Sequence, residues 1–212
     1  LCLDTEKGSK IWDVRTISSF IKSQDFLALA VSKENDVLML NSSGDLLKIN
    51  ADHGKIYWSL NTTGEMFDNT DFFTSSDIVI KDNDIILSTS TSIFSFNLNY
   101  GNLNWQQDVG STNTPIIDGN NVFLVSNNGY FINIDRESGK IIWSTNILKI
   151  LKKKQQQTNI MGFVLGSGKI YAVSLNGYLI VCSAVSGNVE HFKKIGDTIT
   201  TSPIISNGSL YI

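Results

Sequence analysis

Few side chains in these 212 residues could do chemistry alone: two histidines, two cysteines, one tight acidic cluster and one run of lysines. His53 sits beside a turn glycine and His191 lies in a strand pattern, so no Ser/His/Asp arrangement and no metal-ligand set assembles around them. The spacing of Cys2 and Cys182 suits neither a zinc site nor a redox pair. Asp82-Asn83-Asp84 has the composition of a cation site. It aligns, however, with Glu34-Asn35-Asp36, Asp118-Gly119-Asn120, Ser167-Gly168-Lys169 and Asn207-Gly208-Ser209, which makes it a hairpin tip. No GxGxxG or GxxxxGK segment leads from a strand into a helix, so the usual phosphate cradles are excluded. The expectation is no catalytic residue, no cofactor and no metal.

What positions every one of these residues is a repeat. The segment FINIDRESGKIIW, Phe131 to Trp143, combines alternating apolar residues, a polar turn closed by Gly139, and a Trp four residues later. It recurs as LCLDTEKGSKIW at Leu1 to Trp12, LKINADHGKIYW at Leu47 to Trp58, FSFNLNYGNLNW at Phe94 to Trp105 and IVCSAVSGNVEH at Ile180 to His191. The turn glycines Gly8, Gly54, Gly101, Gly139 and Gly187 step by 46, 47, 38 and 48 residues. All four tryptophans, Trp12, Trp58, Trp105 and Trp143, hold the same place, and His191 takes it in the fifth copy.

Each copy divides further. Phe26 to Asn50 reads as FLALAV, a turn at SKEND, VLMLN, a turn at SSG, then DLLKIN. Alternation of period two broken by such turns predicts antiparallel strands joined by hairpins. The same series follows at Asp77 to Ile80, Ile85 to Ser88 and Ile93 to Asn97. It returns at Pro115 to Ile117, Val122 to Ser126 and Tyr130 to Asp135, then at Phe163 to Leu165, Ile170 to Ser174 and Tyr178 to Ser183. Ser202 to Ile212 supplies two more strands. Four-stranded antiparallel sheets at a period in the forties are the blades of a β-propeller. The fold class expected is therefore all-β: one propeller domain over residues 1–212, with four full and two partial repeats ending near residues 12, 58, 105, 143 and 191. The terminal pieces, Leu1 to Trp12 and Ser202 to Ile212, could alternatively pair into one blade.

The recurring residues have structural tasks in this scheme. Residues five and seven before each turn glycine are apolar in every copy (Leu3, Ile49, Phe96, Ile134, Cys182; Leu1, Leu47, Phe94, Ile132, Ile180), which predicts a strand face buried against the next blade. Cys182 then reads as a small core hydrophobe, and Cys2, one step out of phase, faces the other way. The indole on the returning strand can bury on the order of 200 Å² while its N–H reaches a backbone carbonyl, making each Trp an inter-blade clasp. Two connections exceed the repeat: NTTGEMFDNTDFFT, Asn61 to Thr74, with Phe67 and Phe72, and NILKILKKKQQQTN, Asn146 to Asn159, with Lys149, Lys152, Lys153 and Lys154. Insertions in a propeller map to loops at blade ends, so these six residues are the candidate partner contacts, against the simpler reading of a solvated lysine tip.

A net charge of −3 with a pI near 5.3 argues against general nucleic-acid binding, which needs a basic footprint. No apolar run reaches the roughly 18 residues of a membrane-spanning helix, and no charged-then-apolar leader opens the chain, so a soluble, mature or excerpted segment is expected.

The pattern of Asp or Asn, a short polar run, Gly, often Lys, then two residues and Trp resembles the repeat of pyrroloquinoline-quinone-type propellers; LDTEKGSKIW and IDRESGKIIW match it closely. The resemblance covers essentially the whole chain and implies a ring of seven or eight blades in the full protein. The same repeat serves quinoprotein dehydrogenases, periplasmic lipoproteins of the BamB type that help assemble outer-membrane β-barrels, and luminal domains of unfolded-protein sensor kinases. The dehydrogenases share an adjacent cysteine pair, a calcium site and a catalytic Asp, and no Cys-Cys occurs here. Asn41-Ser42-Ser43, Asn61-Thr62-Thr63 and Asn207-Gly208-Ser209 fit the glycosylation pattern and favour the luminal alternative. The BamB-type resemblance implies a non-enzymatic scaffold without cofactor at the periplasmic face of the bacterial outer membrane. Its partners would be the outer-membrane assembly machinery or unfolded outer-membrane proteins, with membrane attachment through a lipid anchor outside this segment, if at all.

Overall fold

The computed structural model of the chain describes residues 1–16, 28–41, 44–61, 74–151 and 158–212. A two-stranded sheet, β1 (Cys2–Leu3) and β2 (Lys10–Trp12), comes first. Four antiparallel four-stranded sheets follow, each hydrogen-bonded in chain order. Blade 1 is β3 (Leu29–Val31), β4 (Asp36–Leu40), β5 (Asp45–Asn50) and β6 (Ile56–Asn61). Blade 2 is β7 (Val79–Lys81), β8 (Asp84–Ser88), β9 (Ile93–Asn97) and β10 (Leu103–Gln107). Blade 3 is β11 (Ile116–Asp118), β12 (Asn121–Val125), β13 (Tyr130–Asp135) and β14 (Ile141–Asn146). Blade 4 is β15 (Ile160–Gly166), β16 (Lys169–Ser174), β17 (Tyr178–Ser183) and β18 (Val189–Lys194). The chain is thus an all-β propeller array. A second two-stranded sheet, β19 (Ile204–Ser206) and β20 (Ser209–Tyr211), remains separate from β1–β2 across four blades, so the alternative in which the terminal pieces pair is not formed. Phe26 and Leu27, expected to open the first strand of blade 1, lie outside the described residues.

The turn before each returning strand is built by one device. The side chain of Asp4, Asn50, Asn97, Asp135 or Ser183 accepts from the backbone N–H groups two and three residues on; Asp135 Oδ1 holds Ser138 N at 2.8 Å. The same residue's carbonyl accepts from the turn glycine, as in Gly139 N to Asp135 O at 2.8 Å. That closure puts the glycine at φ near +70°, where a Cβ collides with the following carbonyl, so glycine is required. A bulge follows: Asn133 pairs with Trp143 but Ile134 with Ile141, the same irregularity as at Lys48/Ile49 and Val181/Cys182.

Each tryptophan then lands on the turn of the following repeat. A Cβ on Gly54 would stand 2.8 Å from Trp12, on Gly101 2.9 Å from Trp58, and on Gly139 and Gly187 2.5 Å from Trp105 and Trp143. The glycine is needed twice over, for its φ and for the ring upon it. Three of the indoles also donate to the carbonyl three residues before that glycine: Trp12 to Ala51 at 2.7 Å, Trp58 to Leu98 at 3.2 Å and Trp105 to Arg136 at 2.7 Å.

The seams between blades form the core. Leu38, Leu40, Leu46 and Trp58 of blade 1 meet Ile85, Leu87, Phe94 and Phe96 of blade 2; Ile86, Ile93 and Trp105 of blade 2 meet Val122, Leu124, Ile132 and Ile134 of blade 3. This corrects one expectation from sequence. The apolar row five and seven residues before the glycine faces the preceding blade, not the next, and the Trp-bearing face goes forward. The reason is geometric: a Trp can reach the next turn glycine only from the face opposite that row. Leu1 and Leu3, placed in the same row by register, are exposed, β1 being paired on one side only.

Candidate interaction face at the connector end

An antiparallel meander sorts its loops by end. The tips joining first to second strands and the glycine turns joining third to fourth lie at one end; the hairpins joining second to third strands and the blade-to-blade connectors lie at the other. Both long connections expected to contact partners leave and re-enter the blades at this connector end, at Asn61 and Thr74 and at Asn146 and Thr158. Phe67, Phe72, Lys152, Lys153 and Lys154 lie outside the described residues.

Lys149 is described, and its surroundings are more ordered than a solvated tip requires. Residues Ile147–Ile150 form a 3₁₀ helix whose cap is Asn146; the Asn146 Oδ1 accepts from Leu148 N and Lys149 N, both at 3.1 Å. Ile147, Leu148 and Leu151 are buried among Phe131, Phe163 and Tyr178. Leu148 packs so closely on Gly129 that a Cβ there would collide with its Cδ1. With the apolar side chains turned inward, Lys149 and Ile150 project outward. The sequence signal was the Asn followed by apolar residues that break the period of two, an N-cap pattern.

Hydrogen bonds stiffen the face around this helix. In blades 2, 3 and 4 a residue of the outgoing connector donates to the hairpin of its own blade: Ser111 N to Thr89 O at 2.8 Å, Ile147 N to Gly129 O at 3.0 Å and Ile195 N to Gly177 O at 2.9 Å. Between blades 2 and 3, Asn127 N donates to Gly110 O and Asn127 Nδ2 to Ser90 O, both at 3.1 Å. Such a rim holds surface side chains in fixed positions, the property a docking platform needs.

At the glycine-turn end the structure adds a residue that the repeat did not single out. Arg136, in the turn of blade 3, pairs through Nε with Asp84 at 2.7 Å and through Nη2 with Asp82 at 3.0 Å, both in blade 2, and Nη2 donates to Lys81 O at 3.2 Å. Its carbonyl receives the Trp105 indole. The hydrogen bond from Arg136 holds the Asp82 carboxyl below its ordinary range, and the Ser138 hydroxyl does the same for Asp135. Asp82-Asn83-Asp84 is therefore both a hairpin tip, with Asp82 at φ 54°, and half of an inter-blade ion pair. In blade 1, Lys48 and Asp36 form a nearly buried pair at 3.1 Å, with Lys48 also 5.6 Å from the Tyr57 ring centroid.

The remaining reactive groups are placed as follows. Cys182 is fully buried in the seam between blades 3 and 4, and burial, with the negative charge of Glu190 adding to it, pushes its thiol up to about 12. Cys2 is half-buried and free. His53 and His191 are exposed in separate repeats. Among the described residues no three His, Cys, Asp or Glu side chains are grouped to hold a metal ion, and no helix is long and apolar enough to cross a membrane.

A sequence profile of the family described as outer membrane protein assembly factor BamB matches residues 1–145. The chain is 23% identical, over all of its length and 54% of the relative's, to an uncharacterized protein of Rickettsia prowazekii (strain Madrid E). It is 24% identical, over 99% of its length and 53% of the relative's, to the outer membrane protein assembly factor BamB of Moranella endobia (strain PCIT). It thus spans about half the length of these curated relatives. Among solved structures it is similar to BamB from Moraxella catarrhalis, with TM-score 0.65 and 18% identity over 85% of this chain and 56% of that one. It is also similar to the quinohemoprotein alcohol dehydrogenase of Comamonas testosteroni, with TM-score 0.72 and 14% identity over 92% of this chain and 40% of that one. At such identities the structural likeness carries the fold alone.

Proposed function

The chain belongs to the family of the outer membrane protein assembly factor BamB, and on that premise we propose that it is a non-enzymatic, protein-binding scaffold that assists assembly of β-barrel proteins into a bacterial outer membrane from the periplasmic side. The observation that carries this reading is the division of labour within the repeat. The recurring Asp or Asn, Gly and Trp are engaged in turn closure and inter-blade docking, while the two connections that exceed the repeat leave and re-enter the blades at one end. A repeat whose recurring parts build the frame leaves recognition to its variable loops. The partner contacts proposed are Lys149 on its anchored 3₁₀ helix together with Phe67, Phe72, Lys152, Lys153 and Lys154. A positive loop on a chain of net charge −3 suits an acidic or polar partner surface and sets orientation more than affinity.

Affinity capture with this chain from a bacterial envelope extract tests the proposal. Outer-membrane assembly components are expected, and their recovery should fall with Lys149→Glu but not with Glu34→Lys at the opposite end. Their consistent absence would overturn the scaffold reading in favour of the luminal-sensor class. The dehydrogenase class is tested separately with pyrroloquinoline quinone, calcium, an alcohol or sugar and an artificial electron acceptor. No turnover is expected, and measurable turnover would refute the non-enzymatic assignment.

A further inference from the structure

The four docking tryptophans are not equally satisfied. Trp12, Trp58 and Trp105 each donate to a carbonyl of the next blade, whereas Trp143 sits on Gly187 with its buried Nε1 lacking an acceptor among the described residues. On the paired strand directly opposite, the buried Asn133 Oδ1 likewise lacks a donor. The forward faces of blades 1 and 2 carry a charge pair at the corresponding height: Asp36 with Lys48 in blade 1, and Asp84 of blade 2 with Arg136 from across the seam. In blade 3 these positions are Asn121 and Asn133, which bond within the blade at 2.9 Å, and the residue opposite is Ala184 where blade 3 offers Arg136. The apolar row across this seam ends in Cys182, where the earlier seams have Phe96 and Ile134.

The connector end of the same seam is closed differently. Phe131 stands edge-on to Trp143 with centroids 4.8 Å apart and lies 6.4 Å from Phe163, and Ile147, Leu148 and Leu151 cover the cluster. The seam is thus tightly packed at one end and without polar closure at the other. Opening the unclosed end returns an indole N–H and an amide oxygen to water, so it recovers hydrogen bonds there instead of breaking them. Local openings of this kind occur where such closure is weakest.

We infer that the seam between blades 3 and 4 opens locally from its glycine-turn end, with the aromatic cluster as hinge, and exposes the Cys182 thiol while the rest of the array stays folded. The seam between blades 2 and 3 lacks the device, being locked at the same height by Arg136 and the satisfied Trp105 indole. While the seam is closed the thiol is unreactive, being buried and held protonated, so its modification reads the opening directly.

The test is thiol labelling by a small disulfide reagent under native conditions, with urea increased below the unfolding transition. In the Cys2→Ser variant Cys182 is the sole thiol; the comparator carries Cys2→Ser, Cys182→Ala and Ile134→Cys, placing a thiol at the same height of the locked seam. Cys182 should label about tenfold faster or more, the margin that one unmade hydrogen bond gives, and with weak dependence on urea. Equal rates, or labelling of Cys182 with the full urea dependence of global unfolding, would overturn the inference. Native hydrogen exchange on the unsubstituted chain gives an independent reading should the Ile134→Cys variant fail to fold. Amides of residues 183–189 should exchange before those of 135–141, and the reverse order or equal protection contradicts local opening.

Discussion

Replacing Gly139 by alanine isolates what docking contributes. The glycine sits at φ +70°, and an alanine there incurs roughly 1–2 kcal/mol from the left-handed conformation alone. Its Cβ would also stand 2.5 Å from Trp105 Cγ. Trp105 cannot yield freely, being 7% exposed and tied to Arg136 O at 2.7 Å. Forcing it aside adds about 1–3 kcal/mol of overpacking, for about 2–5 kcal/mol in total. Gly119 is the internal control: it lies in the same blade at φ +55° with no atom within 4 Å of a would-be Cβ, so Gly119→Ala should cost only the roughly 1–2 kcal/mol of conformation. In a chain of this size each kcal/mol lowers the melting temperature by roughly 2–4 °C, a difference that circular dichroism melts resolve. Adding Trp105→Ala to Gly139→Ala removes the collision, so the double variant should lose less than the sum of the singles by about 1–3 kcal/mol. If Gly139→Ala costs no more than Gly119→Ala, the ring does not press on the turn and the clasp account fails.

Other perturbations separate the remaining interactions. Trp58→Ala and Trp105→Ala should each destabilise by roughly 3–5 kcal/mol through cavity formation, checked by urea unfolding; unchanged transitions would contradict the clasp role. Lys48→Met leaves Asp36 nearly buried and unpaired, for about 3–5 kcal/mol, and pairing it with Asp36→Leu should recover most of that loss. Arg136→Ala should flatten the acid limb of the stability–pH curve. The Asp82 carboxyl is held below its ordinary 3.8 by Arg136, so its contribution is complete above that value and is lost as pH falls through the lowered one. Melting temperatures between pH 2 and 6 should converge for wild type and variant at the acid end; parallel curves would show that the pair does not couple to protonation.

The frame was readable from sequence because its signals are local and repeated. Gly8, Gly54, Gly101, Gly139 and Gly187 mark turns that close within six residues, and alternation around them fixes strands whatever lies beyond. Relations between repeats were not local, and there the pattern was silent or misled. Leu47 and Ile49 look the same from either side of a sheet, so periodicity gives a buried row but not which neighbour buries it. Arg136 occupies a place filled elsewhere by Thr5, Ala51, Leu98 and Ala184, and it acquires meaning only when the tip carrying Asp82 and Asp84 is seen to abut it. Asn146 did carry a readable cap signal, obscured by the lysines that follow. The candidate contacts were chosen for exceeding the repeat, a criterion that finds variable loops and is blind to what they bind.

The central claim, that this array is a platform for the outer-membrane assembly machinery, is tested most directly by titrating the purified chain against purified assembly machinery and following binding by calorimetry. The account predicts saturable binding that Lys149→Glu weakens and Glu34→Lys leaves intact. Absence of saturable binding, with the chain shown to be folded by its melt, would contradict it.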